Sequence, residues 1–195
     1  AIRDEHGGEA ILPLAYGGSN GLVSQDTTDA RYFRRLGASR LARTVCAAPS
    51  TRAAEGLYGW MPGVSFPDYA AAAAIIVWGA NPSVSGIHLM PALQEAKKKG
   101  AWIAVVDPRR TRVARIADLH LPVRPGTDLP VALSIIRWMF ESGAADRDFL
   151  AGHASEVEDL EARAAAWSFD DAGKVAGVDP AAIADAQRIL TDCGA

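Results

Sequence analysis

The stretch VVDPRRTRVARIADLHLPVRPGTD, residues 105–128, decides the fold of this chain. An apolar run ends at Asp107, two arginines follow at once, and a second apolar run stops at the Pro-Gly-Thr-Asp sequence of residues 125–128. The first run begins at Trp102 and is continuously apolar, as expected for a strand that is buried on both faces of a parallel sheet. The stretch therefore predicts buried strands whose ends carry an acid, arginines and a glycine-containing corner.

The residues before this stretch predict a strand–helix–strand unit. Ala74–Trp78 is a second continuous apolar strand, and Val84–Lys99 has the apolar spacing of a helix. Lysines in the last turn of this helix favour its dipole, and Gly100 ends it. Two parallel strands joined by a helix form a right-handed crossover in nearly all proteins.

The residues after the second strand continue the alternation. We predict a short helix at Thr111–Ala117, a third strand at Leu119–Val123 and a long helix at Leu129–Glu141 that Thr127 caps. The chain from Asp146 onward is predicted to be helical, with a final helix from Pro180 to Leu190. The predicted fold class is α/β: a doubly wound, mainly parallel Rossmann-like sheet with helices on both faces and a helical C-terminal part.

The first third of the chain carries weaker signals. The elements predicted here are a strand at Ile11–Tyr16, a glycine-rich loop at Gly17–Gly21, a helix capped by Thr27-Thr28-Asp29 and ending near Leu36, a strand at Arg43–Cys46, a helix from Pro49 towards Leu57, and a loop at Gly56–Pro67.

Composition excludes several classes of protein. The 195 residues are 49% hydrophobic and 22% charged with a net charge of −3, which is ordinary for a globular protein and argues against a nucleic-acid partner. The longest apolar stretch, Tyr69–Trp78, is about half of what a membrane helix needs, so no direct membrane insertion is expected. Two cysteines, Cys46 and Cys193, are too few for a disulfide framework or a self-contained metal cluster. Because the chain opens on Ala-Ile-Arg rather than Met, we expect a fragment of a longer polypeptide.

Polar residues follow each of the three predicted strands. Gly79–Pro82, Asp107–Arg110 and Pro125–Asp128 should therefore meet at the carboxyl edge of the sheet, where such folds bind ligands. A carboxylate there suits a ribose hydroxyl or a base edge, arginines suit phosphate, and the helix start after Thr127 offers amides to an anion. Together these segments indicate a nucleotide.

Each segment taken alone also has a simpler explanation. Asp107 before a proline is an ordinary turn residue, the arginines can form a solvated helix face, and Gly126-Thr127-Asp128 is an adequate helix cap. The three together on one edge favour the ligand. An ordinary nicotinamide dinucleotide is disfavoured, because Trp78 is followed by Gly-Ala-Asn-Pro rather than by the G-x-G-x-x-G fingerprint.

Four separated motifs in this order and spacing resemble the molybdopterin oxidoreductases, the superfamily of dimethyl sulfoxide reductase and formate dehydrogenase. The resemblance runs from the Gly17-Gly18-Ser19-Asn20 loop to the Asp146-Arg-Asp-Phe149 helix. The motifs are Trp78-Gly-Ala-Asn-Pro82, Asp107-Pro-Arg-Arg-Thr111, Ala117-Asp118 and Arg124-Pro-Gly-Thr-Asp128.

This resemblance implies a cofactor of molybdenum or tungsten held by the dithiolenes of two pterin guanine dinucleotides. It implies that this segment grips one guanine dinucleotide, with Asp107 accepting from the guanine donors and Arg109 serving phosphate. The implied cofactor-binding residues are Gly79, Asn81, Pro82, Asp107, Pro108, Arg109, Arg110, Gly126, Thr127 and Asp128.

The stretch Thr44-Val-Cys46 followed by Pro49-Ser50 resembles the formate dehydrogenase segment in which cysteine or selenocysteine ligates the metal. The resemblance implies that Cys46 is the metal ligand and the catalytic residue, and a thiolate is a soft ligand suited to molybdenum. Ala47 departs from the pattern, because the formate enzymes place a histidine there. The four histidines (His6, His88, His120 and His153) offer no metal-ligand spacing and are interpreted as structural.

The resemblance also implies the domain organisation: residues 1–42 would be a strip of the neighbouring family domain, and residues 43–195 would form the Rossmann-like domain that binds the guanine dinucleotide. It further implies what the complete protein contains. We expect a two-electron redox or oxygen-atom transfer enzyme with a small-molecule substrate, an iron–sulfur cluster outside this chain, further domains of the same polypeptide and an electron-transfer iron–sulfur subunit as partner. The fragment alone is expected to fold but not to turn over substrate. Two alternatives stay open: a catalytically silent scaffold homologue, as in respiratory complex I, and a plain NADP-binding domain that uses Arg109 and Arg110.

Overall fold

The computed structural model of the chain describes residues 1–14, 28–42 and 47–186. The chain divides into two compact units, residues 1–63 and residues 64–195. The predicted domain boundary after residue 42 concerns the family's domains and stays a prediction. In the described ranges, no helix is long and apolar enough to cross a membrane.

The first unit is built from short helices. They are α1 (Ile2–His6), α2 (Thr28–Leu36) and α3 (Ala47–Tyr58), with a 3₁₀ turn at Gly8–Ala10. Gly8 lies against the backbone carbonyl of Leu36 so closely that any side chain at this position would clash. Ser39 joins the segments, because its hydroxyl donates to Glu9 O at 2.7 Å and its N–H donates to Ile11 O at 2.9 Å.

The predictions for this unit have mixed outcomes. The helix that ends near Leu36 is confirmed, and the helix predicted from Pro49 forms but begins two residues earlier. The predicted strand Ile11–Tyr16 is wrong over residues 11–14, which are irregular. Pro13 has no N–H to donate to a strand ladder, which disfavours a strand here. The glycine-rich loop and the predicted strand Arg43–Cys46 lie outside the described residues.

A three-stranded parallel sheet organises the second unit. Its strands are β1 (Ala74–Trp78), β2 (Trp102–Val106) and β3 (Leu119–Leu121), in that order across the sheet. The bounds of β1 and β2 are those predicted from their continuous apolar runs. β3 ends two residues before its predicted end, because Pro122 cannot donate to the ladder and Val123 N turns back to Leu121 O at 2.9 Å.

Helices cover both faces of this sheet. The helices of the second unit are α4 (Phe66–Ala71), α5 (Pro82–Ser85), α6 (Leu89–Lys98), α7 (Arg112–Ile116), α8 (Asp128–Ser142), α9 (Arg147–His153), α10 (Val157–Ala164), α11 (Phe169–Ala176) and α12 (Pro180–Ala186). One core lies between the sheet and helices α6 and α7 and includes Leu93, and the other lies under α8, α11 and α12 and includes Ile183. Both side chains are fully buried, which stabilises the fold by about 1.5–3 kcal/mol each. The α/β class is thus confirmed.

Two connections differ from their predictions. The helix predicted over Val84–Lys99 is two helices, because Gly86 adopts a non-helical conformation between α5 and α6. The loop predicted over Gly56–Pro67 is shorter, because α3 continues to Tyr58 and α4 begins at Phe66. The carboxylate of Asp68 stabilises the start of α4, since its Oδ2 accepts from Ser65 N and from the Ser65 hydroxyl, both at 2.8 Å.

Candidate functional site

The three predicted ligand-binding segments meet at the carboxyl edge of the sheet. Backbone hydrogen bonds tie them together, since Gly79 N donates to Val106 O at 2.9 Å and Asp107 N donates to Leu121 O at 3.2 Å. A side-chain bond adds to them, because Trp78 Nε1 donates to Asp128 Oδ1 at 2.7 Å. The strand ends therefore place the β1, β2 and β3 loops side by side, as the sequence predicts.

The segment after β1 turns sharply into a short helix. Gly79 has φ +58°, a conformation that favours glycine, and Pro82 is buried in the first turn of α5. Asn81 is committed to this helix start, since its backbone carbonyl accepts from Val84 N and Ser85 N. Its side-chain oxygen accepts from the Ser83 hydroxyl. Gly79, Asn81 and Pro82 thus shape the edge through the backbone.

Asp107 is almost buried, with 8% of its surface exposed. Its Oδ1 accepts from Arg109 N at 2.7 Å, and its backbone carbonyl lies 2.9 Å from His120 Nε2. The carboxylate therefore stabilises the turn between β2 and α7. After this turn Thr111 caps α7, since its hydroxyl oxygen accepts from Ala114 N at 3.2 Å.

The turn presents a basic surface. Pro108, Arg109 and Arg110 are exposed, and no described acid lies within ion-pair distance of either arginine. The same holds for the exposed guanidiniums of Arg112 and Arg115 on α7. Charges without counter-ions are available to bind an anionic ligand, and arginine is well suited to phosphate.

The corner after β3 differs from its prediction in one respect. Gly126 has φ +83°, which favours glycine, and α8 begins at Asp128. Thr127 occupies the cap position, but its hydroxyl donates backward to Arg124 O at 2.6 Å instead of accepting from the helix. The predicted side-chain cap is therefore wrong, because a tight turn back to Arg124 uses the hydroxyl.

Asp118 belongs to the Ala117-Asp118 motif, and the sequence did not predict its structural role. Its Oδ2 accepts from Ile103 N at 2.9 Å, and its Oδ1 accepts from Lys97 Nζ at 2.7 Å. Burial alone raises the pKa of Asp118, but the bonds from Lys97 and Ile103 outweigh burial and lower the pKa. Asp118 lies at the amino ends of β2 and β3, away from the carboxyl edge, and stabilises the sheet.

Trp78 is the residue at the edge that sequence reasoning missed. Its indole reaches Asp128, 50 residues later in the chain, and its ring packs against the core under α8. A large aromatic residue at the last position of a strand beside the candidate edge was the available signal.

A concave surface of the second unit lies apart from this edge. A cavity of about 440 Å³ lies between α8, α11 and α12, with Trp138, Trp167 and Phe169 among its lining residues. None of the predicted ligand-binding residues contributes to it. We therefore place the candidate site at the sheet edge, where the chemically suited groups converge.

The predicted metal ligand is not placed by the structure. Cys46 lies outside the described residues, so its role stays a prediction. Across residues 1–14, 28–42 and 47–186, no group of three or more His, Cys, Asp or Glu side chains could hold a metal ion. The histidines are dispersed, at the end of α1, before α6, within β3 and at the end of α9.

Comparison with known proteins identifies the family. The family model described as Molybdopterin oxidoreductase matches residues 10–190, and the chain belongs to this family. The chain is 31% identical over 177 residues to the probable oxidoreductase YoaE of Bacillus subtilis (strain 168), covering 91% of this chain and 26% of that protein. It is 28% identical over 165 residues to the assimilatory nitrate reductase catalytic subunit of the same organism, covering 82% of this chain and 23% of that protein.

The fold is also found in a solved structure. Acetylene hydratase from Pelobacter acetylenicus superposes with a TM-score of 0.74 at 24% identity, over 99% of this chain and 26% of that chain. The chain thus spans about a quarter of the length of the relatives it matches.

Proposed function

We propose that this chain is the part of a molybdenum- or tungsten-dependent oxidoreductase that binds one guanine dinucleotide of a bis-pterin cofactor. Family membership supports a pterin-bound metal, and the named relatives include an oxidoreductase and a nitrate reductase. The complete protein would catalyse a two-electron redox reaction or an oxygen-atom transfer on a small substrate.

The observation that carries this proposal is the chemistry of the sheet edge. Arg109 and Arg110 have no described counter-ion, and the exposed carboxylate of Asp128 lies at the same edge. Guanidiniums bind the oxygens of a diphosphate, and a carboxylate accepts from the N1 and N2 donors of guanine. The edge therefore has guanidiniums suited to the diphosphate and a carboxylate suited to the guanine base.

The two acids at this edge have different roles in the proposal. The sequence assigned the guanine donors to Asp107, but its carboxylate is nearly buried and bonded within the β2–α7 turn. We assign the guanine to the exposed Asp128 and give Asp107 the role of orienting Arg109 and Arg110. Gly79, Asn81, Pro82, Pro108, Gly126 and Thr127 shape the backbone around them.

The residues present fit the cofactor. A side chain added at Gly79 or Gly126 would meet no atom within 4 Å, so open space adjoins the backbone after β1 and after β3. When bound, the cofactor would supply a metal centre that exchanges electrons with the substrate. This chain's residues would hold its nucleotide end, and Cys46 would contribute a thiolate ligand and act as the catalytic residue.

The remaining parts of the enzyme would lie elsewhere. Because the chain covers only about a quarter of the matched relatives, we propose that further domains of the same polypeptide complete the cofactor site. An iron–sulfur cluster in the complete protein, and an iron–sulfur partner subunit, would carry electrons to or from the metal.

Thermal unfolding of the 195-residue chain with added nucleotides tests the proposal. GDP at about 100 times its Kd should raise the Tm by about 5–10 °C, because a ligand that binds only the folded state stabilises it by about 2.7 kcal/mol. NADPH at the same concentration should shift the Tm far less. The double variant R109Q/R110Q should lose most of the GDP shift, whereas R163Q on α10 should keep it. Protection by NADPH alone would instead support an NADP-binding domain.

A further inference from the structure

The hydrogen bond between Trp78 and Asp128 joins two elements of the candidate site. The donor is the last residue of β1, and the acceptor is the first residue of α8. The distance between Trp78 Nε1 and Asp128 Oδ1 is 2.7 Å, which is short for a nitrogen donor and typical of a bond to a charged acceptor.

The two partners differ in how firmly they are held. Trp78 is half-buried, its ring packs against the core under α8, and its backbone is paired in register with Val106. Asp128 is exposed, and the indole is the only described side chain that donates to its carboxylate. An exposed carboxylate without such a donor would rotate freely. The indole therefore fixes the orientation of the carboxylate.

A fixed carboxylate has a specific use in reading a purine. Guanine presents two adjacent donors, N1–H and the N2 amino group, whereas hypoxanthine presents only N1–H and adenine presents an acceptor at N1. A carboxylate has about four acceptor positions, so one bond from the indole leaves enough for both guanine donors. Accepting two parallel bonds requires that the plane of the carboxylate matches the plane of the base.

We infer that Trp78 is a positioning residue that orients Asp128 for selective recognition of guanine. This inference rests on the proposed function, because it assumes that a guanine nucleotide binds at this edge. The indole acts through the carboxylate of Asp128 and does not itself touch the base.

The test is the preference for GDP over inosine diphosphate, which lacks the N2 amino group. Calorimetric titration of the 195-residue chain should show GDP binding about tenfold more tightly, since one hydrogen bond to a charged group separates the two ligands. In W78F the GDP affinity should fall about tenfold while the inosine diphosphate affinity changes by less than about twofold. The control is W138F, a Trp-to-Phe change within α8 and outside the candidate site. This variant should keep the wild-type preference for GDP.

The possible results distinguish a failure of the inference about Trp78 from a failure of the proposed function. If W78F keeps the tenfold preference, or loses affinity equally for both nucleotides, Trp78 does not position Asp128, although GDP binding by the wild type still supports the proposed function. If the wild-type chain binds no GDP, both proposals fail. Should W78F not fold, the Trp78 indole N–H resonance of the wild-type chain replaces it. That resonance should move on addition of GDP and move less with inosine diphosphate, and an unmoved resonance would overturn the inference.

Discussion

At the scale of single residues, two aspartates at one sheet edge have opposite surroundings. Asp107 is nearly buried and accepts from Arg109 N within its own turn, whereas Asp128 is exposed and accepts from an indole 50 residues away. Both follow strands and precede helices in the sequence, so the pattern cannot tell them apart. The carboxylate of Asp128 is therefore accessible to a ligand, whereas that of Asp107 is enclosed in its own turn.

The metal ligand is a second question at the residue scale. If the sulfur of Cys46 binds the metal, C46A in the complete polypeptide should still retain the pterin cofactor, because the dithiolenes and the sheet edge hold it. Activity should fall by at least about tenfold, and the electron paramagnetic resonance signal of the metal should shift, since a soft thiolate has been removed. C193A is the matched control. Wild-type turnover together with an unaltered metal spectrum would mean that Cys46 is not a ligand.

At the scale of elements, β1 and β2 could be predicted to the residue. Ala74–Trp78 and Trp102–Val106 are continuous apolar runs that end at Gly79 and Asp107, and such runs are typical of buried parallel strands. β2 is buried from Ile103 to Val106, whereas Ile76 in β1 is exposed. Since parallel strands end at a common edge, the location of the candidate site followed from their order. Three of its segments could therefore be named from the sequence.

The connections could not be predicted in the same way. Gly86 divides the helix predicted between β1 and β2, although single glycines are often tolerated in helices. Thr127 has a hydroxyl suited to capping α8, but the turn to Arg124 uses it. At such connections, alternative local hydrogen bonds of similar strength compete, and the tertiary structure determines which of them forms. The Trp78–Asp128 bond depends on side-chain rotamers, which no periodicity encodes.

The link between β2, β3 and α6 predicts a pH effect on stability. The pKa of Asp118 is lowered in the folded protein from an ordinary value of 3.8, so its contribution is present above that value and is lost as pH falls through the folded pKa. D118N keeps an acceptor for Ile103 N but removes the charge that Lys97 contacts. The free energy of unfolding should therefore fall less between pH 7 and pH 3 in D118N than in the wild type.

Solvent exposure of Lys97 and Asp118 limits how much their ion pair contributes to stability. The side chains of Lys97 and Asp118 are 35% and 36% exposed, so the pair should contribute less than about 1 kcal/mol. Urea unfolding at both pH values measures the difference, and D159N on α10 serves as the control. An identical pH dependence in D118N and the wild type would show that the charge of Asp118 does not stabilise the sheet.

At the scale of the whole molecule, the net charge of −3 hides a separation of charge along the second unit. Residues 97–124 carry eight basic and two acidic side chains, whereas residues 156–186 carry two basic and eight acidic ones. The basic segment contains the β2–α7 turn of the candidate site. Three of the eight, Lys97, Lys98 and Lys99, precede β2 and lie at the opposite, amino edge of the sheet, so the steering of an anionic ligand towards the candidate site would come from the five arginines that follow β2.

The chain belongs to the molybdopterin oxidoreductase family, and we propose that it is a nucleotide-binding part of a larger enzyme. The chain spans about a quarter of its relatives, so turnover is proposed for the complete polypeptide. If the proposal is right, the chain by itself should bind the nucleotide end of the cofactor.

The most direct test of this central claim is a crystal structure of the chain with GDP. We predict that the diphosphate lies about 3 Å from the guanidinium nitrogens of Arg109 or Arg110, and that N1 and N2 of guanine donate to Asp128 at hydrogen-bond distance. GDP bound instead in the cavity between α8, α11 and α12, or absent from the edge at saturating concentration, would contradict the account.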